Sequence, residues 1–274
     1  MSGTVAEPKG ATKRTLQGLS GLVYFFFYAP IILLVIFSFS DNRNVGVWGG
    51  FTLDWYREFG ESSGTQDALW NSVQIGLVST AVSVVLGTLA ALALERFTFR
   101  GKQVFDALLY LPIIIPDVTM AVMLLLFFAQ IAEWFGITKG FATITLSHIA
   151  FSISFVSIVV RARLAGMDDK LEEAAMDLYA TRWMAFRHVT LPLIMPGILG
   201  GALLAMTLSL DDVVITQFVT GPGWNTLPVF VFGLIRRGVT PLINAVSVVM
   251  LVASMGLVAL SLITDRARSS DSAT

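Results

Sequence analysis

Apolar residues run almost unbroken through six stretches of the chain. Residues 15–40, 68–94, 140–160, 188–210 and 238–264 contain no Asp, Glu, Lys or Arg, and each reaches the roughly 20 residues that a helix needs to cross the hydrocarbon of a bilayer. A sixth stretch, 104–131, is interrupted by Asp106 and Asp117. It counts as a span whose acids need explaining. The uncharged run 213–235 is cut at Thr220-Gly221-Pro222-Gly223 into pieces too short to cross. It reads as an outer loop with a short, partly apolar element at 227–235. The pattern predicts an all-α membrane protein of six transmembrane helices.

Small residues recur inside two of these runs. Ser79, Ser83, Gly87 and Ala91 follow at intervals of four in the second, as do Gly197, Gly201 and Ala205 in the fifth. Small residues at that interval let backbones approach closely, which places both helices in a tight bundle. Lys13 and Arg14 precede the first run. No small-residue cleavage site follows it, so it is expected to stay as a membrane helix rather than leave as a signal peptide.

Composition agrees. Of 274 residues, 55% are apolar and 14% charged, with a mean hydropathy of +0.76, where a soluble domain carries roughly 25% charged residues. The balance of 18 Lys/Arg against 19 Asp/Glu excludes a basic nucleic-acid binder. Without cysteine there are no disulfides or thiolate chemistry, and His148 and His188 are too few and too far apart for a zinc cluster. Thirteen Lys/Arg fall before residue 18, at 96–102, at 161–187 and after 264, against five in the alternate segments. By the positive-inside rule both termini and the 95–103 and 161–190 loops face the cytoplasm. The divisions are a cytoplasmic segment 1–17, a six-helix domain 18–264 with a cytoplasmic loop at 164–190, and a tail 265–274. Residues 1–12 and 266–274 read as short disordered ends.

The 164–190 loop carries the clearest local pattern. Asp169 followed by Glu172 reads as a capped helix start. Leu171, Ala174, Ala175 and Leu178 share one stripe of this helix, while Glu172, Glu173 and Asp177 keep part of its surface charged. Thr181 is placed to cap a second short helix with Trp183, Met184 and Phe186. The chain then re-enters the membrane through Val189-Thr190-Leu191-Pro192. Two readings fit: the helices lie back on the bundle or lipid, or they form a knob for a groove on a partner.

Glu173-Ala174-Ala175, position 179 after three intervening residues, and then Val189-x-Leu191-Pro192 resemble the cytoplasmic "EAA" loop of the membrane-spanning subunits of bacterial ABC importers. The resemblance covers nearly the whole chain. Trp48-Gly49-Gly50-Phe51-Thr52, Asn71-Ser72, Phe99-Arg100-Gly101-Lys102, Pro116-Asp117, Ser147-His148 and Leu208-Ser209-Leu210-Asp211-Asp212, followed by Phe218-Val219-Thr220-Gly221-Pro222, are similar to the second permease of spermidine/putrescine importers. The resemblance implies a binding-protein-dependent ABC importer permease fold in a bacterial inner membrane. It implies a heterodimer with a second permease subunit, two ATP-binding subunits and an extracytoplasmic solute-binding protein. It makes the loop the element that docks on the ATPase, through Glu173, Ala174, Ala175, Leu178, Tyr179, Ala180, Phe186, Leu191 and Pro192. The family pattern has Gly where Tyr179 stands. A Tyr resists left-handed backbone angles by roughly 1–2 kcal/mol relative to Gly, so a reshaped turn is expected, with the ring filling part of the docking surface.

Asp117, Asp211 and Asp212 sit in or beside apolar spans without Lys or Arg. On straight helices Asp117 lies about 24 Å from Gly101 and Asp211 about 21 Å from Gly197, which gives them similar depth in the outer half. Pro112 and Pro116 are expected to kink the third helix and free carbonyls, tolerable where backbone lines a cavity. The acids either compensate a cationic solute or are neutralised by protonation, by capping a helix end, or by bonding to Thr119, Ser209 or Thr216. Asp106, about 7 Å from Gly101, is interfacial and is given no role. Ser147 and His148 point about 100° apart on a helix, and no G-x-S-x-G elbow is present, so interhelical hydrogen bonds are expected of them. Trp48, Trp55, Tyr56 and Trp224 read as an interfacial belt or as contacts for a solute-delivering protein.

No Gly-rich phosphate loop with a Lys occurs, so no cofactor is expected on this chain; ATP and Mg belong to the partner ATPase subunits. The expected function is a non-catalytic permease subunit for polyamines. The rival is a proton-coupled secondary carrier for small organic cations, with Asp117 and Asp211 as its relay.

Overall fold

A computed structural model describes residues 10–271 apart from 137, 169 and 239. The chain runs through α1 (Gly10–Phe37), α2 (Asp54–Glu61), α3 (Ser63–Arg96), α4 (Lys102–Ile114), α5 (Asp117–Phe135), α6 (Phe141–Leu164), α7 (Lys170–Asp177) and α8 (Arg182–Ala185). A π-helical turn, Phe186–Thr190, leads into α9 (Leu191–Asp211), followed by α10 (Val214–Val219), α11 (Leu227–Arg237) and α12 (Pro241–Asp271). Among the described residues there is no strand, only an isolated antiparallel bridge between Ser40 and Phe51. Among the described residues, five helical runs are long and apolar enough to cross a membrane, and α12 adds a shorter apolar segment, Pro241–Gly256. The expectation of an all-α membrane protein holds.

The bundle centres on α3, α6 and α9, each packed against the other two. Val156 of α6 is fully buried between them. A Cβ added at Gly87 of α3 would lie 2.7 Å from Val156 Cβ, and one at Gly201 of α9 would lie 3.2 Å from Val156 Cγ1. The two small-residue stripes therefore form facing troughs for one branched side chain. In lipid, where apolar burial supplies little drive between helices, such close packing is what holds them together.

Charged groups fasten one end of the bundle. Arg161, in the last turn of α6, reaches Glu95 at 2.8 Å and Asp106 at 2.5 Å, joining the ends of α3 and α4. Arg163 Nε donates to the Leu193 carbonyl of α9 at 3.1 Å. Asp106, given no role from sequence, is thus an ion-pair partner. At the opposite end, Asn71 Nδ2 donates to the carbonyls of Gly223 and Asn225, and the Leu227 amide donates to Ser72 Oγ. These bonds, with Thr143 Oγ1 donating to the Val219 carbonyl at 2.8 Å, pin the α10–α11 turn across α3 and α6. Asn71-Ser72 is a clasp on that turn.

The third span differs from its expected form. It is two helices, broken at Ile115 and Pro116, both extended with ψ of 130° and 138°. A residue preceding proline is pushed out of the helical region, so Pro116 stops α4 at Ile114 where a single kinked rod was expected. Asp117 is consequently the first residue of α5. The helix α2 was also not anticipated; its Trp55 donates to the Ser40 carbonyl at 2.7 Å, and its Tyr56 shares a hydrogen bond with Ser38.

Candidate functional site

The break before α5 opens onto a cavity of about 460 Å³ lined by Pro112, Ile113, Asp117, Phe151, Phe155, Leu208, Asp211, Asp212 and the first residues of α10. The three acids picked out from sequence thus face one space, and among the described residues no basic side chain lines it. Their surroundings differ. Among the described residues, Asp117 and Asp211 have no hydrogen-bond or ion-pair partner. Asp117 gains from the amide dipoles of the α5 amino terminus, which favour a negative charge in the first turn.

Asp212 is occupied. Its Oδ1 accepts the Ile215 amide at 3.2 Å, and its Oδ2 accepts both the amide and the hydroxyl of Thr216 at 2.7 Å. It therefore caps α10, satisfying amides that a helix start leaves orphaned. Expected from sequence to face the solute with the other two acids, it has most of its accepting capacity taken by the protein.

Behind Asp212 lies a buried polar chain. His148, fully excluded from solvent, places Nε2 2.9 Å from Thr216 Oγ1 and 3.4 Å from Asp212 Oδ2, and Nδ1 2.7 Å from Ser209 Oγ. Ser209 Oγ lies 3.3 Å from Ser79 Oγ. The Thr216 hydroxyl hydrogen points to Asp212, so its oxygen accepts from His148, and Nε2 must carry the proton. The chain links α3, α9, α6 and α10. His148 thus makes the interhelical bonds anticipated for it. Ser147 does not: its hydroxyl donates to the Thr143 carbonyl of its own helix at 2.7 Å, and the two side chains share no chemistry.

The second candidate element is the α7–α8 loop. Asp168 Oδ1 accepts the Lys170 amide at 3.0 Å to start α7; Asp169, assigned this capping role from sequence, lies outside the described residues. At the other end, the Ala180 amide donates to the Ala175 carbonyl and the Tyr179 amide to that of Met176. This is the paired closure of a Schellman turn, which requires a left-handed residue. Tyr179 supplies it, with φ of 67°. The turn is therefore kept rather than reshaped, at a conformational cost of roughly 1–2 kcal/mol. Thr181 Oγ1 then accepts the Met184 amide at 3.3 Å and caps α8 as expected.

The turn presents apolar side chains outward: Leu178 is 81% exposed and Tyr179 97%, with Leu171, Trp183 and Met184 also exposed. Phe186 stacks on Trp183 at 5.6 Å. Glu173 and Ala174 are exposed and Ala175 is half-buried, as is Ala180; Leu191 is half-buried and Pro192 exposed at the start of α9. The inner side of the loop is tied down by Glu172, whose Oε1 receives Arg96 of α3 at 3.0 Å and also the buried hydroxyl of Thr190. The sequence placed Glu173 in the docking set and gave Glu172 only a place in the helix start and on the charged face. No local pattern marks this link, because Arg96 and Glu172 lie 76 residues apart and meet only in the folded bundle.

Residues 83–269 match the family described as the binding-protein-dependent transport system inner membrane component. The putrescine transport system permease protein PotI of Escherichia coli K12 is 43% identical over 233 residues, 84% of this chain and 83% of that protein. The spermidine/putrescine transport system permease protein PotC of Haemophilus influenzae is 39% identical over 240 residues, 88% and 92% of the two chains. Among solved structures, a bacterial ABC transporter involved in the import of the acidic polysaccharide alginate superposes with a TM-score of 0.74 over 92% of this chain and 94% of that one, at 19% identity. At that identity the likeness shows a shared fold.

Proposed function

The chain belongs to the family of binding-protein-dependent transport system inner membrane components, and from that premise we propose that it forms one half of a polyamine pore driven by ATPase subunits. It is a non-catalytic permease subunit of an importer, served by a solute-binding protein. In the proposed assembly a second permease completes the pore and two ATP-binding subunits hold ATP and Mg. The amino and carboxyl termini and the α7–α8 loop face the cytoplasm.

The observation that carries the polyamine reading is the cavity with Asp117 and Asp211 open and no cation in its lining, in a chain 43% identical to a putrescine permease. An alkyl diammonium ion brings two charges for these carboxylates and methylenes for Phe151, Phe155 and Leu208. Two unpaired acids in an apolar span are costly at rest, so the site attracts a cation in passage and does not need to hold it tightly.

Coupling follows from connectivity. From Arg182 to Asp211 the chain is one helical run of 30 residues, about 45 Å at 1.5 Å per residue. A groove on the ATPase that grips Tyr179, Leu178 and Trp183 therefore moves a lever whose far end carries Asp211. Glu172 makes α3 and the start of α9 follow the same pull. The test is uptake of labelled putrescine into proteoliposomes holding the full assembly, with and without ATP. Transport by this chain alone on a proton gradient is the result that contradicts the proposal and favours the secondary carrier.

A further inference from the structure

Neither His148 nor Thr216 lines the cavity, yet they determine what Asp212 is able to do. A carboxylate offers about four acceptor positions. Three on Asp212 are filled by Ile215 and Thr216, and His148 Nε2 stands 3.4 Å from Oδ2, the oxygen that Thr216 bonds twice, which leaves one position on Oδ1. Asp212 keeps 11% side-chain exposure and lines the cavity, whereas Asp117 and Asp211 are exposed, so both its bonding and its deeper seat set it apart from them. The bond order along the chain is directional: His148 Nε2–H donates to Thr216, whose hydroxyl then has its own hydrogen free for Asp212.

We propose that His148 and Thr216 are specificity-determining positioning residues, which hold Asp212 in the α10 cap so that the cavity offers a passing solute two open carboxylates rather than three. This rests on the polyamine reading above. Specificity is a difference of affinities. With two acceptors, a diammonium ion satisfies the site as fully as a triammonium ion does; a third, released acceptor adds a charge-assisted contact that only the triammonium ion uses.

The test uses the assembled transporter in proteoliposomes and compares putrescine with spermidine as kcat/KM. Thr216→Val removes the hydroxyl from both bonds, and His148→Leu removes the donor that orients it. Each is expected to shift the ratio toward spermidine by roughly two- to fivefold, the size of one partly screened charge contact. Thr216→Ser keeps both bonds and should leave the ratio unchanged. Adding Asp212→Asn to Thr216→Val should restore it. A purely structural role for the network lowers both rates together, so an unmoved ratio in an assembled Thr216→Val complex overturns the proposal. If Thr216→Val does not assemble, an unmoved ratio in His148→Leu, or in Thr216→Cys if that too is lost, overturns it equally. Failure of the wild type to carry either amine would instead refute the polyamine reading.

Discussion

The guanidinium of Arg96, in the last turn of α3, donates to Glu172 Oε1 in the first turn of α7 at 3.0 Å. The same carboxylate oxygen receives Thr190, one residue before α9. One acid thus joins the loop to two of the three central helices. Glu172→Gln should weaken this junction by about 1 kcal/mol, the scale of a partly exposed pair. The expected result is an assembled complex that hydrolyses ATP at a near-normal rate but moves several-fold less solute per ATP, measured as parallel ATPase and uptake assays.

Tyr179 is the one described non-glycine residue with a positive φ. Tyr179→Gly should relieve the turn by about 1 kcal/mol and raise its resistance to proteolysis, while weakening capture of the ATPase through loss of the 97% exposed ring. Tyr179→Pro fixes φ near −65° and removes the amide that closes on Met176. It is expected to abolish co-purification of the ATPase without unfolding the bundle.

Packing around Val156 yields a paired prediction. Gly87→Ala would force a Cβ to within 2.7 Å of Val156 Cβ and 3.0 Å of the Ile153 carbonyl, costing about 1–3 kcal/mol. Gly200→Ala meets only Val159 Cγ1 at 3.7 Å and gains helix propensity of up to about 1 kcal/mol. Thermal unfolding in detergent should therefore fall for the first and hold or rise for the second.

In the cavity, Asp117→Asn and Asp211→Asn remove open charges that no group among the described residues pairs with. Each should lower putrescine uptake roughly tenfold or more with unchanged assembly and melting temperature. Asp212→Asn strikes a cap instead, and should lower the melting temperature by an amount corresponding to about 1 kcal/mol.

Much of the architecture was legible because lipid imposes a simple demand: charge-free runs long enough to cross. Their ends were less legible, since helices continue past the bilayer. α3 begins at Ser63 rather than near 68, on residues such as Gln66 and Asp67 that suit water and helix equally. Pro112 and Pro116 announced a disturbance, but Pro112 sits inside α4 while Pro116 ends it; only the backbone shows which proline breaks the rod. The acids were visible as charges in apolar surroundings. Their division was not, because Asp211 and Asp212 differ by which one turns toward α10, a tertiary fact. The Tyr179 turn was misjudged because the Schellman hydrogen bonds outweigh a cost of roughly 1–2 kcal/mol.

The central claim is that the α7–α8 loop seats in a nucleotide-hydrolysing partner and that its motion drives a polyamine through the pore. Crosslinking a cysteine at Tyr179 or Trp183 to the ATPase subunit, in proteoliposomes transporting putrescine, tests it most directly. The expected result is a crosslink that traps the two subunits and stops ATP-driven uptake, reversed on reduction. Uptake that continues at full rate with the loop quantitatively crosslinked, or a loop that reaches only lipid throughout the ATP cycle, would contradict it.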